Sequence, residues 1–354
     1  MTGTTDFESV LGEWDGKAVV IRYDQPSGSW MFVALHDDTL GGPVGGCRMR
    51  VYDRPVDGLI DATRLAAGMT SKWAAMEFPF GGGKSVLAVP HPMVGEERWG
   101  LLARFAELLT TLKGTYRGGE DLGTTPEDMA YLADRTDHIM GGHGGDGPED
   151  PGPYTALGVL SGIKSALKAR FGDGGLGGRS VLIQGVGDVG APLARMVAAE
   201  DGMVLTADID AGAAARLAEE CAGSTIAAEA VYATPCDVYA PCAVGATLNP
   251  ETVPVLACQI VAGSANNQLL TRADGDALHE RGILYAPDYV VNGGGAMAFG
   301  LMHQGVSDVG ELNARVRTIE NALDEIFGES AREGITPGAA SDRRVERILE
   351  RHRT

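Results

Sequence analysis

Apolar residues recur along this chain with two different periods, and the change of period divides it. Residues 18–23 and 30–35 are runs of β-branched, apolar and aromatic residues on either side of a Pro- and Gly-containing turn at 26–28, which predicts a hairpin. Residues 61–75 set Leu65, Met69 and Trp73 one helical turn apart, the mark of an amphipathic helix. A short apolar strand is expected at 85–89 and a second amphipathic helix at 99–112. Beyond residue 180 short apolar runs alternate with helical segments: strand 180–184, helix 191–199, strand 203–207, helix 211–221, then apolar runs at 238–240, 260–262 and 283–285. Such alternation predicts βαβ units and a parallel sheet. Between the two regions, residues 143–153 read HGGDGPEDPGP, with no hydrophobic pattern, and are the expected crossing between two domains. The tail from about residue 313 is helical and charged, and no internal repeat is present.

Composition narrows the class. Of 354 residues 44% are hydrophobic, enough for two cores, yet no run approaches the ~20 apolar residues of a membrane helix. The start, MTGTTDFESV, has neither the basic beginning nor the apolar centre of a secretory signal, so a soluble cytoplasmic protein is expected. The net charge of −19 argues against nucleic acid or an anionic membrane as partner, since both require clustered Lys and Arg. Five cysteines without a C-x-x-C, and seven scattered histidines, predict neither a disulfide framework nor a metal site. Glycine is the outlier: 51 residues, about twice the usual ~7%, and clustered, which reads as backbone devices.

One cluster is Gly185-Val186-Gly187-Asp188-Val189-Gly190. A G-x-G-x-x-G alone is a weak signal, but here a predicted strand ends at Gly185 and a predicted helix follows Gly190. The first glycine allows the turn, the second lets backbone approach a pyrophosphate, and the third lets the helix pack on the strand. Asp208, with Ile209 after it, ends the next strand about 20 residues on. A carboxylate there binds ribose hydroxyls and repels a 2′-phosphate, which favours NAD; Asp210 is a second candidate.

Lys72 and Lys84 lie in a lysine-poor region. Lysines are mostly solvated surface residues. Lys84, however, directly follows Gly81, Gly82 and Gly83, which could bring backbone close to a ligand. Desolvation there would lower its pKa towards neutrality and fit it for proton transfer.

At this point a resemblance emerges. Pro79-Phe80-Gly81-Gly82-Gly83-Lys84-Ser85-Val86 resembles the lysine signature of the glutamate/leucine/phenylalanine/valine dehydrogenase family. Thr39-Leu40-Gly41-Gly42-Pro43-Val44-Gly45-Gly46-Cys47-Arg48 is similar to its substrate-side glycine turn, and Gly68-Met69-Thr70-Ser71-Lys72 to its first lysine motif. Gly119-Glu120-Asp121-Leu122-Gly123-Thr124 resembles its aspartate motif. Ala240-Pro241-Cys242-Ala243, Ala262-Gly263-Ser264-Ala265-Asn266-Asn267 and Tyr285-Ala286-Pro287-Asp288-Tyr289-Val290-Val291-Asn292 are similar to its cofactor-domain motifs. Together they span nearly the whole chain in the family's order.

The resemblance implies an α/β fold of two domains. Residues 1–145 would form a substrate and oligomerisation domain, with a C-terminal helix at 321–354 packing back on it, and residues 146–320 a Rossmann-type NAD-binding domain. The active site would lie in a cleft between them. It implies NAD-dependent oxidative deamination of an L-amino acid to its 2-oxo acid and ammonia, and the reverse, by a homo-oligomer. Lys84 and Asp121 would be catalytic; Lys72 and a backbone contact of Gly46 would hold the substrate carboxylate. Asn267 and Asn292 would border nicotinamide and substrate, and Thr155 would meet the carboxamide. Gly185, Gly187, Asp188, Val189, Gly190, Asp208, Ile209, Ala240, Pro241 and Cys242 complete the cofactor set. The chemistry agrees: a carboxylate needs a fixed cation, an ammonium must lose a proton before hydride leaves Cα, and an iminium needs activated water. Taken alone, Asp121 also reads as a helix cap before Thr124-Thr125-Pro126-Glu127.

Some positions depart from the family pattern: Cys47 stands where Thr is common, Phe78 where an aliphatic residue is usual, Arg117 where an apolar residue or Thr is frequent, and Gly293 where Ala is. In the side-chain pocket, Gly119 and Ala296 resemble the phenylalanine-type pattern, Phe299 could fill the room they leave, and Val44 is intermediate. A phenylalanine-like substrate is slightly favoured, with a branched-chain or unusual amino acid as alternative; discrimination by a methylene or two is worth only ~1–3 kcal/mol. A glutamate substrate lacks an extra cation motif, Arg117 aside. Two remoter readings differ in class. A hydroxy-acid dehydrogenase would need a His–Asp or His–Glu pair, and His279 and His303 carry no such motif. A non-catalytic NAD-binding protein would have no use for Lys72, Lys84 and Asp121 together.

Overall fold

The computed structural model describes residues 6–140 and 150–353. The chain forms two compact units, Met1–Gly147 with Arg347–Thr354, and Pro148–Glu346. Most of the expected crossing, residues 143–149, lies outside the described residues; its end is helical, since a helix starts at Gly152.

In the first unit α1 (Phe7–Glu13) precedes the hairpin of β1 (Ala18–Asp24) and β2 (Ser29–Asp37). Two short strands follow, β3 (Pro43–Val44) and β4 (Cys47–Val51), then α2 (Pro55–Ala75), β5 (Gly81–Val89), α3 (Gly95–Thr111) and α4 (Pro126–Ala133). Strand β5 is central: it pairs antiparallel with β2 and parallel with β3 and β4. The period-2 alternation of β2 accounts for two cores. Met31, Val33 and Leu35 face one cluster, with Leu87, Leu101, Phe105 and Tyr116; Phe32 and Ala34 face another, with Leu59, Ala62, Ala66, Val86 and Ala88. With both faces covered, every residue of β5 is buried, Lys84 included.

The three glycines before Lys84 do not open space for a ligand. They belong to β5, and a methyl group on any of them would strike protein: Asp37 O at 2.2 Å from Gly81, Thr70 Oγ1 at 1.9 Å from Gly82, and the Tyr116 ring at 2.8 Å from Gly83. Their absent side chains let α2 and Tyr116 close directly onto the strand.

The second unit opens with α5 (Gly152–Phe171) and continues as β6 (Ser180–Gln184), α6 (Gly190–Ala199), β7 (Met203–Ala207), α7 (Ala211–Glu220), β8 (Ser224–Thr225), β9 (Cys236–Pro241), β10 (Cys258–Val261), α8 (Arg272–Glu280), β11 (Leu284–Tyr285), α9 (Asp288–Val291), α10 (Gly294–His303), α11 (Val309–Arg317), α12 (Ile319–Glu333) and α13 (Pro337–Arg353). Six parallel strands run in the order β11-β10-β9-β6-β7-β8, the doubly wound arrangement in which chain order reverses between β6 and β9. The C-terminal segment corrects one expectation. Residues 321–346 belong to the second unit, and only Arg347–Thr354 join the first. Helix α12 buries Leu323, Ile326 and Phe327, and packs on α5.

No described helix is long and apolar enough to cross a membrane.

Candidate active site

In the first unit, Lys84 sits in mid-β5, paired across the ladder with Ala34 of β2. By strand alternation its side chain leaves the sheet on the side of Val86 and Ala88, under α2. It is 5% exposed, and its Nζ lies 3.1 Å from Asp121 Oδ2. Burial lowers the Lys84 pKa, and the charge of Arg48 pushes the same way, while Asp121 opposes both. Burial alone would raise the Asp121 carboxyl, but Lys84 and Arg48 outweigh it and hold it below the usual carboxylate range.

Asp121 is placed by a segment laid along β3 and β4. Gly45 N donates to Arg117 O at 3.2 Å, Cys47 N to Gly119 O at 2.7 Å and Met49 N to Leu122 O at 3.0 Å. Gly123 turns the chain at φ 83°, where a methyl would sit 1.9 Å from Met49 O. Thr124 Oγ1 accepts from Asp121 N at 3.0 Å and lies 2.9 Å from Cys47 O. Asp121 does not cap the following helix; Thr125 does, in a capping box with Asp128.

Gly46 lies against this pair, since a methyl there would stand 2.7 Å from Asp121 Cβ and 3.0 Å from Lys84 Nζ. Val44 is buried at the end of β3, its carbonyl accepting from Trp73 Nε1 at 3.3 Å. Among the described residues, a methyl on Gly119 would have only Met140 O near, at 3.7 Å. Lys72 lies in the last turn of α2 and is half-buried. Arg117, also half-buried, has an Nε that is buried and, among the described residues, has no hydrogen-bond partner.

Several residues around the pair carried no signal of their own. Arg48 was legible only as the end of a glycine motif, yet its Nε donates to Asp121 Oδ2 at 2.9 Å and its Nη1 to Asp61 Oδ2 at 2.9 Å. Tyr52 and Arg64 also donate to Asp61, at 2.7 and 3.0 Å. Tyr116 is fully buried; its hydroxyl donates to Gly45 O at 2.7 Å and lies 3.1 Å from Ser85 Oγ. Contacts across such sequence distances have no local period to betray them.

In the second unit the glycine loop joins β6 to α6. Gly185 has φ 95°, and a methyl there would sit 2.8 Å from Ala243 Cβ, just past the end of β9. At Gly190 a methyl would be 1.8 Å from Gly185 O, so glycine lets the helix close on the strand. At Gly187 it would meet none of the described residues within 4 Å, and Gly187 and Asp188 are exposed. This is the cradle a pyrophosphate requires, with backbone open at the start of a helix and at the reversal of strand order. Asp208 Oδ2 accepts from Val186 N at 2.8 Å and Oδ1 from Asp210 N at 2.9 Å, so the acid expected on the ribose side is tied to the loop. Asp210 itself caps α7 through Ala213 N at 3.0 Å. Ile209 is fully exposed beside it, and Val189 is half-buried as the cap residue of α6.

The other cofactor candidates line the same end of the sheet. Ala240 and Pro241 end β9, and Cys242 N donates to Gln184 O at 2.7 Å. Asn267 is exposed, with φ 52°, and its carbonyl accepts from Ala246 N at 2.7 Å. Asn292 is buried, its amide donating to Ser264 O at 3.2 Å and Asn266 Oδ1 at 2.8 Å. Thr155 Oγ1 bonds back to Pro151 O at 3.0 Å, and a methyl on Gly295 would strike that hydroxyl at 2.5 Å. Ala296 and Phe299 are half-buried on α10. His279 and His303 are exposed.

Known proteins share both units. Residues 25–138 match the model of the Glu/Leu/Phe/Val dehydrogenase dimerisation domain, and residues 211–334 that of Glutamate/Leucine/Phenylalanine/Valine dehydrogenase. A leucine dehydrogenase of Bacillus cereus is 39% identical over 97% of this chain and 93% of its own. The chain belongs to the Glu/Leu/Phe/Val dehydrogenase family. A phenylalanine dehydrogenase of Bacillus thermotolerans is 36% identical over 94% of this chain and 87% of its own. The crystal structure of L-tryptophan dehydrogenase from Nostoc punctiforme superposes with a TM-score of 0.87 at 32% identity, covering 98% of this chain and 99% of that one. As a member of this family the protein is an oxidoreductase of the amino-acid dehydrogenase class that uses NAD. Membership removes the hydroxy-acid reading. The glycine loop and Asp208 fit the dinucleotide, Gly187 being open where the pyrophosphate must approach.

Proposed function

We propose that the protein interconverts an L-amino acid bearing an apolar or aromatic side chain with its 2-oxo acid, releasing or capturing ammonia. The observation that carries this reading is the pair of buried Lys84 and half-buried Asp121, 3.1 Å apart and packed against Gly46. Lys72 holds the substrate carboxylate together with the backbone of Gly46. Asp121 hydrogen-bonds the substrate nitrogen and exchanges a proton with it, so that the amine is neutral when hydride departs. Bound NAD supplies the hydride acceptor. Lys84 takes the proton of the water that adds to the iminium carbon, and Asp121 returns a proton to nitrogen as the C–N bond breaks. In sum, amino acid, NAD+ and water give 2-oxo acid, ammonium, NADH and a proton. Burial favours neutral Lys84, the form able to accept that proton near neutral pH.

For the side chain, the space that the described residues leave over Gly119 supports an aromatic substrate of the phenylalanine kind. A branched-chain substrate is the second reading, supported by the greater identity to the Bacillus cereus leucine dehydrogenase. The match of residues 25–138 to a dimerisation domain supports a homo-oligomer, to be checked by light scattering.

The deciding assay is NADH oxidation with phenylpyruvate, indolepyruvate, 2-oxoisovalerate, 4-methyl-2-oxopentanoate and 2-oxoglutarate, each with and without ammonium. Ammonium-dependent turnover is expected, with phenylpyruvate preferred; turnover that ignores ammonium would overturn the reaction. The same assay with Lys84→Ala should lose activity by more than about 10³-fold while NAD binding, read by fluorescence, persists.

A further inference from the structure

Asp121 receives two cations on a single oxygen. Lys84 Nζ lies 3.1 Å from Oδ2, and Arg48 Nε donates to the same Oδ2 at 2.9 Å, while among the described residues no hydrogen bond reaches Oδ1. Arg48 is itself fixed from behind. Its Nη1 donates to Asp61 Oδ2 on α2, and Tyr52 and Arg64 lock Asp61 in turn. The side chains of Arg48 and Asp61 are only 15% and 11% exposed. A guanidinium does not deprotonate in proteins, so this cation persists at every working pH.

We propose that Arg48 is a positioning residue for the reaction: anchored by Asp61, it clamps Oδ2 of Asp121, presents Oδ1 to the substrate nitrogen, and keeps Asp121 charge-paired when Lys84 gives up its proton. The inference rests on the amino-acid dehydrogenase reading and deepens it. A buried carboxylate that loses its only counter-ion is strongly disfavoured. Were Lys84 the sole partner of Asp121, it would be held in its charged form and could not serve as a base. Arg48 removes that constraint and repels the Lys84 ammonium as well.

The remaining groups leave this role to Arg48. Cys47 of β4 is pushed up to about 12 by burial, and burial likewise raises the Tyr116 hydroxyl, so both are neutral at working pH. Asp128 of α4 is bound by Arg98, and burial raises the neighbouring Glu120 carboxyl. Helix α2 carries two cations, Arg64 and Lys72: Arg64 is engaged by Asp61, and Lys72 is assigned to the substrate carboxylate.

The test compares wild type, Arg48→Met, Arg48→Lys and Asp61→Asn as full-length proteins. Two readouts are taken: the pH profile of kcat/KM for deamination, and the titration of the Lys84 13Cε signal in lysine-labelled protein. The chain has six lysines, so its signal is assignable by loss in Lys84→Met. Arg48→Met should raise the Lys84 titration, and the acid limb of the profile with it, by about one pH unit or more. It should also lower kcat by about 10²-fold. Arg48→Lys keeps a cation without the two-pronged geometry, so it should restore the titration but only part of kcat. An unmoved Lys84 titration in Arg48→Met, or kcat within about twofold of wild type, overturns the proposal. If Arg48→Met fails to fold, Arg48→Lys and Asp61→Asn decide. Both should lose about 10-fold in kcat, and wild-type kcat in both overturns it. Wild type that turns over no amino acid would refute the functional reading instead, while the Lys84 titration still judges Arg48.

Discussion

Gly46 shows how tightly single positions are set around the Lys84–Asp121 pair proposed to react. A methyl there meets Asp121 Cβ at 2.7 Å and the Glu120 carbonyl oxygen at 2.9 Å, closer than side chains tolerate, and Lys84 Nζ at 3.0 Å. The end of the lysine side chain can swing; the root of the short carboxylate and the backbone carbonyl of Glu120 cannot move without moving the chain that carries them. Gly46→Ala should therefore cost about 1–3 kcal/mol of stability, as overpacking does, and lose about 10²-fold in kcat, the usual cost of displacing a catalytic group by an ångström. Steady-state kinetics beside a thermal melt checks this, and a variant that keeps kcat would show that the Lys84–Asp121 geometry does not govern turnover. Lys84 and Asp121 were legible as a motif, and Gly46 as its neighbour. Arg48, Asp61, Tyr52 and Tyr116 were not, because each meets its partner through tertiary packing: Arg48 and Asp121 are 73 positions apart.

At the scale of the element, β5 and the β6–α6 loop use glycine for opposite purposes. Gly82 is pressed against α2, with Thr70 Oγ1 at 1.9 Å and Ala66 O at 2.5 Å from the site of a methyl, and one of those atoms is backbone. Gly82→Ala must part helix from strand, so it should destabilise the first unit by about 3 kcal/mol, at the upper end of overpacking costs. Gly187 faces open space, so Gly187→Ala should leave Tm unchanged within about 0.5 kcal/mol of stability. It should instead raise the KM for NAD, because the methyl occupies the approach of the pyrophosphate. Melts and NAD titrations of the two variants should thus show crossed effects. From sequence both clusters invited the same interpretation, a backbone cleared for a ligand. The period-2 pattern that would have revealed β5 as a strand from residue 81 is silent where the side chains are hydrogens. In the second unit strands and helices alternate with strong apolar contrast, and the sequence boundaries of β6 and β7 coincide with the observed ones.

At the scale of the molecule, the tail illustrates a limit of periodicity: an amphipathic pattern marks which face of α12 is buried but not which core receives it, hence residues 321–346 fall in the second unit. Charge offers a stronger whole-molecule argument, because two electrostatic effects act in opposite directions as pH falls. At pH 7 the chain carries −19, and this self-repulsion fades towards its isoelectric point near 4.7, which favours the compact state. Against this stand carboxylates held low by the fold. Burial would raise Asp24, Asp37, Asp61 and Asp121, yet hydrogen bonds and cations outweigh it: Arg104 and Ser27 at Asp24, Thr39 and Arg353 at Asp37, Tyr52 and Arg48 at Asp61, Lys84 and Arg48 at Asp121. A group whose folded pKa lies below its unfolded value contributes stability that is complete above the unfolded value, ~3.9 for Asp, and is lost as pH falls through the folded one. Between pH 7 and 5 only the first effect operates, so Tm should hold or rise slightly. Below about pH 4 the second takes over, since four paired carboxylates must bind protons to unfold the chain while the net charge turns positive. Calorimetry from pH 8 to 2.5 should give a Tm maximum near pH 5–6 and a steep fall below 4, and Asp24→Asn should flatten the acid slope while lowering Tm at pH 7. A Tm that declines steadily from pH 7 to 5 would mean that the charge repulsion is too weak to matter and that groups other than these four control the acid side.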